Sequence, residues 1–414
     1  MRNHRPSRRR GWIACSLSLA LGQGTIWFGL WEVGRQEAGV QLILTRVAAV
    51  RGGEWPGFMG EIRGPFIYYR PPVSILGPDV SELEDWCDAG KRLFLLTEDN
   101  RFLPIVGVHF PPDIRPMTDY QWALFFWCFP RLETVDLKFA DISDGQLRHL
   151  AGLRHLRELD LSWTRITGEG LRHLGRLPKL RKLSLQHVDE KGARAIAELA
   201  GLQELSGDLE DTSMGPLTEL PHLEFLHVAN LPWGERRLSD AGLQCVGAFR
   251  ALKWITLEHT DVSDLGVKYL TSVPGLEGCE IICGRLTDES MRTLAESQTA
   301  RRLKSLTLVG MDRITDRGIG MLAGSPIAEG LESLSLGQMD KITDEAIPHL
   351  GKLRNLEYLA VHNTGISRQG IRRLGAVLPR TTVSFGDELG MIQLGPPPAL
   401  RSERRAIAPK WVIW

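Results

Sequence analysis

Histidine and carboxylate side chains are the residues of this sequence with the clearest capacity for chemistry. Their nitrogens and oxygens bind zinc or calcium when several of them converge on one point. Four histidines fall near one face of a predicted sheet, and three carboxylates cluster along the chain: His187, His227, His259, His362, Asp208, Glu210 and Asp211. The histidines come from strands that are mostly not adjacent, and the carboxylates read as a solvated loop. The sequence therefore predicts no metal site and no other cofactor.

Recognisable catalytic motifs are missing from the sequence. It contains no Gly-x-Ser-x-Gly, no His-Glu-x-x-His and no phosphate-binding loop. The glycines of residues 318–324, GIGMLAG, lie inside a predicted helix and lack the strand-to-helix context of a dinucleotide loop. We therefore expect no enzymatic activity. Any catalysis would have to reside in the unassigned residues 52–104, which are short for an independent catalytic domain.

The charge balance bears on the class of partner. The chain has 50 basic and 50 acidic side chains, so its formal net charge is zero. Proteins that bind nucleic acid usually carry a basic excess, because they neutralise phosphates. We therefore expect no nucleic-acid partner.

The N-terminus has the pattern of a membrane anchor. Residues 1–10 are basic, and residues 11–31 contain no charged side chain. A helix of that length spans about 31 Å, close to the hydrocarbon thickness of a bilayer. The basic end should stay cytoplasmic, which would place the rest of the chain on the non-cytoplasmic side. Two alternatives are a cleaved signal with its site at Ala20-Leu21-Gly22, giving a secreted protein, and a lipoprotein signal ending at Cys15.

Residues 32–104 are predicted to connect this anchor to the rest of the chain. Residues 32–51 show apolar side chains at helical spacing, which predicts a juxtamembrane helix. Residues 54–90 are rich in Gly-Pro and Pro-Pro steps, which are typical of turns. The sequence predicts no fold for this connector.

A repeated pattern dominates the chain from about residue 105. Residues 313–319, RITDRGI, and 341–347, KITDEAI, show the repeat most clearly. Each unit has a short Leu-x-Leu alternation, an Ile-Thr-Asp-like step and a helical apolar face. In Leu-x-Leu the two apolar residues point inward and the middle one points outward. One such strand buries little apolar surface alone, so successive units must stack.

The Ile-Thr-Asp step is predicted to start a helix. The Thr or Ser is a natural N-cap, because its hydroxyl accepts a hydrogen bond from the first turn. The Asp adds negative charge at the helix start, which is favoured by roughly 0.3–1 kcal/mol. The sequence therefore predicts a structural role for this step.

These repeats resemble the leucine-rich repeat family over residues 105–385. They look most like the cysteine-containing subtype, known from F-box adaptors and related to ribonuclease-inhibitor-like solenoids. The subtype's usual Cys or Asn after the strand is mostly Thr or Met here, as at Thr164 and Met311. The basic start and anchor resemble membrane-tethered repeat proteins of planctomycete-type bacteria. The resemblance implies an α/β solenoid, with a curved parallel sheet on its concave face and helices on its convex face, and a flexible tail at 386–414.

The resemblance also implies a protein partner on the concave face. The alternation predicts which strand side chains point outward there: Asp136, Lys138, Asp160, Lys182, Gln186, Phe225, His227, Asn230, Trp254, Glu258, Tyr358 and His362. Just past their strands, where the alternation lapses, lie Trp163, His187 and His259. Trp254, Phe225, Trp163 and Tyr358 are the candidate anchors, because interface hot spots favour aromatic residues. Alternatively, these rings pack on neighbouring strands as ladder pairs.

The sequence thus predicts a non-enzymatic scaffold that binds a partner on its concave face. The alternative is a regulatory or substrate-recognition subunit of an enzyme complex. A secreted binder with a cleaved signal is the same scaffold in another location.

Overall fold

The structure is a computed structural model. It describes residues 117–128, 131–232, 234, 237–387 and 390–394, together with short strands nearer the N-terminus. Strands β1, Ala14–Cys15, and β2, Phe28–Gly29, pair antiparallel. The rest of the predicted anchor, 11–31, and the predicted helix at 32–51 lie outside the described residues. None of the helices in the described part of the chain is long and apolar enough to cross a membrane.

The chain divides into two compact units, Met1–Gln186 and His187–Trp414, and the division falls within one strand. In the first unit, a parallel sheet follows chain order and includes a strand from the predicted connector. The strands of this unit are β3, Val73–Ser74; β4, Phe94–Leu96; β5, Phe102–Pro104; β6, Gly107–His109; β7, Thr134–Asp136; β8, Glu158–Leu161; and β9, Lys182–Val188. β3 pairs with β6, β6 with β7, β7 with β8 and β8 with β9. β4 and β5 form a separate antiparallel pair.

Short helices alternate with these strands in the first unit. The α-helices span Asp119–Cys128 and Gly168–Leu171, and 3-10 helices span Asp144–Gly152 and Arg172–Arg176. Trp122, Phe125 and Phe126 of the first helix are buried. Aromatic side chains of this helix therefore contribute to the core of the first unit.

The second unit continues the same strand–helix alternation. Its strands are β10, Glu204–Leu209; β11, Phe225–Ala229; β12, Trp254–Glu258; β13, Gly278–Ile282; β14, Ser305–Val309; β15, Ser333–Thr343; β16, Tyr358–Gly365; β17, Thr382–Asp387; and β18, Gly390–Leu394. Neighbours from β10 to β17 pair in parallel. β18 pairs antiparallel with β17, so the predicted flexible tail, 386–414, includes residues that cover the sheet edge.

Helices follow each parallel strand from β9 to β16. The α-helices span Glu190–Ala197, Asp211–Leu217, Asp240–Leu243, Asp264–Leu270, Asp288–Glu296, Asp316–Ala323, Ile347–Leu350 and Arg368–Val377. Shorter 3-10 turns span Val246–Ala248, Thr299–Arg302, Pro326–Glu329 and Asp344–Ala346. Gly318 and Gly320 of GIGMLAG lie inside one of these helices, as predicted, and Gly324 is its C-cap.

The Leu-x-Leu leucines form the core. Leu159 and Leu161 of β8 are at most 1 % exposed, and Leu334 and Leu336 of β15 are fully buried. Each fully buried leucine contributes roughly 1.5–3 kcal/mol of hydrophobic stabilisation. The alternation predicted from the sequence is therefore the alternation that builds the core.

A ladder of aspartates links one repeat to the next. At seven junctions between repeats, an Asp that comes directly after a cap position accepts two hydrogen bonds from the cap residue of the next repeat. The backbone N–H donates to Oδ1 at 2.7–2.9 Å, and the hydroxyl donates to Oδ2 at 2.5–2.8 Å. The pairs are Asp144–Thr167, Asp211–Ser239, Asp240–Ser263, Asp264–Thr287, Asp288–Thr315, Asp316–Thr343 and Asp344–Ser367. The predicted Thr and Ser caps are confirmed. The Asp not only places charge at a helix start but also binds the next repeat through these hydrogen bonds.

This ladder explains why five of the seven donating cap residues have a glycine three positions later. A Cβ on Gly266 would lie 2.5 Å from Asp240 Oδ1, closer than real Cβ contacts. The same close approach to the ladder carboxylate recurs at Gly170, Gly242, Gly318 and Gly370. Where Ser290 replaces the glycine, its hydroxyl donates to the same carboxylate, that of Asp264.

Candidate functional site on the open face of the sheet

We call the open face the set of strand side chains that alternate with the buried leucines. In the second unit, the parallel register arranges these side chains in rows across neighbouring strands. One row runs from Phe225 to Trp254 to Gly278, and a second runs from His227 to Thr256 to Glu280. The open face of β10 to β13 therefore brings together side chains that are far apart in sequence.

A polar cluster occupies the centre of this face. His227 Nε2 lies 3.3 Å from Glu258 Oε1, and His227 Nδ1 lies 3.3 Å from Ser206 Oγ. On the next strands, the Thr256 hydroxyl donates to Glu280 Oε2 at 3.3 Å. Although it points away from the leucine core, Glu280 is only 9 % exposed. We call Glu258 and Glu280 the carboxylate pair.

Burial raises the pKa of Glu280. The neighbouring negative charge of Glu258 raises it further, while the Thr256 hydrogen bond and His227 act in the opposite direction. A buried carboxylate is costly because water no longer solvates its charge. Among the described residues, neither member of the carboxylate pair forms an ion pair with a Lys or Arg side chain. The charge at this point is thus only partly compensated within the molecule.

Asp208 is a second half-buried carboxylate, on β10. The amide of Asn230 donates to Asp208 Oδ1 at 2.5 Å, and His187 Nδ1 lies 4.0 Å from Oδ2. Burial raises the pKa of Asp208, and the Asn230 hydrogen bond and His187 lower it by less. The prediction that Asn230 points outward is wrong. Asn230 is 3 % exposed, because its side chain also binds the Leu209 carbonyl and the Leu238 N–H.

Trp254 packs on the neighbouring strand. A Cβ on Gly278 would overlap the Trp254 ring, so the indole lies over the bare backbone of β13. Trp254 also stands next to Phe225 in the register, and both rings are half-buried. The ladder-packing interpretation is therefore correct for Trp254, and the exposed part of the ring remains open to a ligand.

The open face changes character from β14 onward. β14 and β15 present Ser305, Thr307, Ser333, Ser335 and Gly337, which are small and uncharged. β16 then presents Tyr358 and His362, both half-buried. Burial lowers the pKa of His362, and Ser384 Oγ lies 3.4 Å from its Nε2.

In the first unit, two exposed aromatic side chains lie just past the strands. Phe139 and Trp163 are each 46 % exposed, and their rings stack with centroids 5.8 Å apart. The Lys138 ammonium lies 5.3 Å from the Phe139 centroid. Both aromatic residues have positive φ angles, 63° and 59°, which are rare for bulky residues.

The same backbone position is left-handed in later repeats. His259, Cys283, Gly310, Gln338 and Asn363 have φ angles between 50° and 72°. Each immediately follows the last outward residue of its Leu-x-Leu strand, where the chain turns. The position of Trp163 and His259 beyond their strands is thus set by the turn, whereas His187 lies inside β9.

Residues 152–175 match the family model described as Leucine Rich repeat. This range holds β8, the Thr167 cap and the helix at Gly168–Leu171, so the sequence match covers one complete strand–helix unit. Over these residues the chain is similar to a leucine-rich repeat. This fold is typical of protein-interaction scaffolds.

Solved structures similar to this chain include two internalins and a leucine-rich repeat protein. An internalin (inlF) from Listeria monocytogenes is 20 % identical, with 68 % of this chain and 79 % of that chain covered and a TM-score of 0.44. An internalin C2 from the same organism is 19 % identical, with 53 % and 84 % covered and a TM-score of 0.37. A leucine-rich repeat protein from Leptospira interrogans is 15 % identical, with 67 % and 83 % covered and a TM-score of 0.30. No curated protein matches the chain.

The leucine-rich repeats bring some of the predicted binding residues together and separate others. Phe225, His227, Trp254 and Glu258 are neighbours on β11 and β12, with His259 just beyond. Tyr358 and His362 lie on β16, and β13 to β15 intervene. Among the described residues, no three or more His, Cys, Asp or Glu side chains converge to hold a metal ion.

Sequence reasoning missed several members of the open face. Glu280 and Thr256 point outward in an alternation that the sequence shows, but Glu280 lies on a strand that reads as a buried apolar run, GCEII. Ser206 lies in the shortened repeat around Leu205, where the register is hard to assign. Phe139 could have been found from its equivalence to Trp163.

Proposed function

We propose that this protein is a non-enzymatic scaffold that binds a protein partner on the open face of its leucine-rich repeats. The observation that carries the proposal is the composition of that face on β10 to β13. It presents aromatic rings beside half-buried ionisable side chains, including Phe225, Trp254, Glu258 and Glu280. Aromatic side chains are the usual anchors of protein interfaces, and charged groups beside them select the partner by charge complementarity.

Two further proposals concern the setting of this scaffold. The uncharged segment 11–31 would anchor the chain in a membrane, with the repeats on the non-cytoplasmic side. If that segment is cleaved, the same scaffold would be secreted. The balanced charge supports a partner other than nucleic acid.

A pull-down with the full-length chain as bait tests the binding face. The baits would be the wild type, a Trp254→Ala/Tyr358→Ala variant of the open face, and a Tyr269→Ala control in the Asp264–Leu270 helix. We expect a cross-linked protein that the wild type and the control capture and the open-face variant loses at least tenfold. Thermal unfolding of each bait would show that the loss does not come from unfolding. Equal capture by all three baits would contradict binding through this face.

A further inference from the structure

The charged strand side chains on the open face of β10 to β13 are acidic. Its outward strand positions carry four acidic side chains and neither lysine nor arginine: Glu204, Asp208, Glu258 and Glu280. The chain as a whole is neutral, with 50 basic and 50 acidic side chains. The acidic residues just before β11 and β13 form ion pairs with lysines. Glu224 pairs with Lys253 at 3.0 Å, and Glu277 pairs with Lys304 at 2.7 Å.

The centre of this face is both acidic and desolvated. Glu280 is 9 % exposed, and its neighbours within reach are Glu258, Thr256 and His227. The His227 Nε2 atom is buried and makes no hydrogen bond, although it lies 3.3 Å from Glu258 Oε1. A cation placed against the carboxylate pair would offset the desolvation of both carboxylates.

The surroundings of the carboxylate pair suit a long basic side chain. The Trp254 ring lies over Gly278, and Glu280 is the next outward residue along the same strand. Aromatic faces attract ammonium and guanidinium groups. Ile282 and Val309 are neighbours in the register and point outward beside Glu258, so they offer apolar surface to an aliphatic stem.

The next strands supply room for a backbone. In the paired segments 305–309 and 333–337 of these strands, the outward residues are uncharged, and all except Val309 are small, from Ser305 and Thr307 to Ser335 and Gly337. An extended segment could lie across them without displacing a large side chain. An anionic polymer, such as nucleic acid, would instead be repelled by the acidic half of the same face.

We propose that the open face of β10 to β15 binds a basic segment of a protein partner, with an Arg or Lys side chain seated between Glu258, Glu280 and Trp254. This proposal rests on the proposed scaffold function and names the chemical class of its partner. The carboxylate pair supplies the attraction, and the flat surface of β14 and β15 carries the neighbouring part of the segment.

Binding of short labelled peptides to the full-length chain tests the proposal. The probes would be a fluorescent decapeptide of alternating Arg and Gly, the same peptide with Lys, and one with Glu. Fluorescence anisotropy would measure Kd at low and moderate salt. A Glu258→Gln/Glu280→Gln variant would be compared with Glu289→Gln/Glu345→Gln, which makes the same change in net charge at exposed helix positions.

We expect the basic peptides to bind the wild type and the helix control within twofold of each other. The Glu258→Gln/Glu280→Gln variant should bind them at least tenfold more weakly, while its thermal unfolding temperature is unchanged or higher. The Glu peptide should not bind. Because binding is electrostatic, added salt should weaken it for the wild type.

Two outcomes would overturn the proposal. If both double variants bind the basic peptides equally, the attraction comes from net charge and not from the carboxylate pair. If the wild type does not bind them at all, the face does not select basic segments. The scaffold function is judged separately, since a partner captured by the wild type and lost by Trp254→Ala/Tyr358→Ala would support it even then.

Discussion

Glu280 illustrates how a single residue can be costly to the fold and useful at a surface. It points out of the core, yet neighbouring side chains cover it, so its charge is desolvated without a full ion pair. Natural proteins tolerate such residues where binding requires them, at the expense of stability. The consequence is measurable, because removing the charge should help the fold and harm the interaction.

Glu280→Gln should stabilise the folded protein at pH 8. The buried carboxylate has a raised pKa, so its charged form is disfavoured in the folded state. Replacing it with a neutral isostere should raise the free energy of unfolding by about 1–3 kcal/mol. As the pH falls through the raised pKa, the wild-type carboxyl becomes neutral. The difference in the free energy of unfolding between the variant and the wild type should then disappear. Thermal unfolding at pH 8 and at pH 4 would measure both parts.

Glu289→Gln is the matched control for this measurement. Glu289 is exposed and pairs with Arg292 on the same helix at 3.0 Å. An exposed substitution of this kind usually changes stability by less than about 0.5 kcal/mol. If Glu280→Gln lowered the unfolding temperature at pH 8, the carboxylate would be compensated more fully than its environment indicates.

At the scale of elements, the aspartate ladder fixes the start of each helix to the repeat before it. One carboxylate satisfies the backbone N–H and the hydroxyl of the next cap, which are donors that the next helix cannot satisfy itself. Burial raises the pKa of Asp264, but hydrogen bonds from Ser290 and Thr287 outweigh it and hold the pKa below its usual range. Hydrogen bonds from Ser367 likewise lower the pKa of Asp344.

Asp264→Ala should therefore destabilise the protein strongly. It removes the acceptor of the Thr287 N–H, the Thr287 hydroxyl and the Ser290 hydroxyl. We expect a loss of about 3 kcal/mol, since hydrogen bonds to charged groups contribute about 1.5–3 kcal/mol each and are partly redundant. The wild-type contribution is complete above the ordinary Asp pKa of about 3.9 and is lost as the pH falls through the lower folded pKa.

Urea unfolding of Asp264→Ala at pH 7 and at pH 3 would measure this contribution. Asp312→Ala, at an exposed loop position, is the control and should stay within about 0.5 kcal/mol of the wild type. Equal losses for the two variants at pH 7 would show that the ladder does not stabilise the fold.

Two glycine substitutions separate the ladder from ordinary helix propensity. Gly152→Ala, at the end of the Asp144–Gly152 3-10 helix, should stabilise the protein by about 0.4–1 kcal/mol, because a Cβ there meets no atom within 4 Å. Gly266→Ala should instead destabilise it, because its Cβ would lie 2.5 Å from Asp240 Oδ1 and 2.6 Å from Val262. Thermal unfolding of both variants checks the opposite signs. A stabilising Gly266→Ala would mean that the ladder carboxylate can move aside freely.

At the scale of the whole molecule, the ladder of the described repeats stops after the Asp144–Thr167 pair and resumes at Asp211–Ser239. Gly168 and Glu190 occupy the positions where other repeats have the Asp, and Glu190 pairs with Arg194 on its own helix instead. The division between the two compact units falls inside this interrupted stretch. Stability along the array is therefore expected to be uneven, as in repeat proteins whose units contact mainly their neighbours.

Amide hydrogen exchange should reveal this unevenness. The cap N–H of Thr287 donates to Asp264 Oδ1 at 2.9 Å. Asp189 is the equivalent cap in its own repeat, but the ladder position of the repeat before it is Gly168, which has no side chain to accept a hydrogen bond. After correction for intrinsic rates, we expect the Asp189 amide to exchange at least tenfold faster than the Thr287 amide, because local opening there breaks fewer hydrogen bonds. Similar protection at both sites would contradict the prediction. Exchange followed by mass spectrometry or NMR would measure both amides.

Some features of this protein follow from the sequence alone. The period of the Leu-x-Leu pattern predicts the parallel strands and their buried leucines, because alternation assigns each side chain to a face. The Thr and Ser caps are equally predictable, since capping depends on residues next to one another in sequence. On the open face, the same alternation correctly places Phe225, His227, Trp254 and Glu258.

Other features are decided only by the tertiary structure. The ladder joins residues 23 to 28 positions apart, so the role of the Asp and of the nearby glycine emerges only when two repeats are stacked. Asn230 is buried because its side chain donates hydrogen bonds to Asp208 and to the Leu209 carbonyl, which belong to another repeat. Glu280 becomes part of the candidate site because the parallel register sets it beside Thr256. Its position in the alternation points it outward, and neighbouring side chains bury its charge.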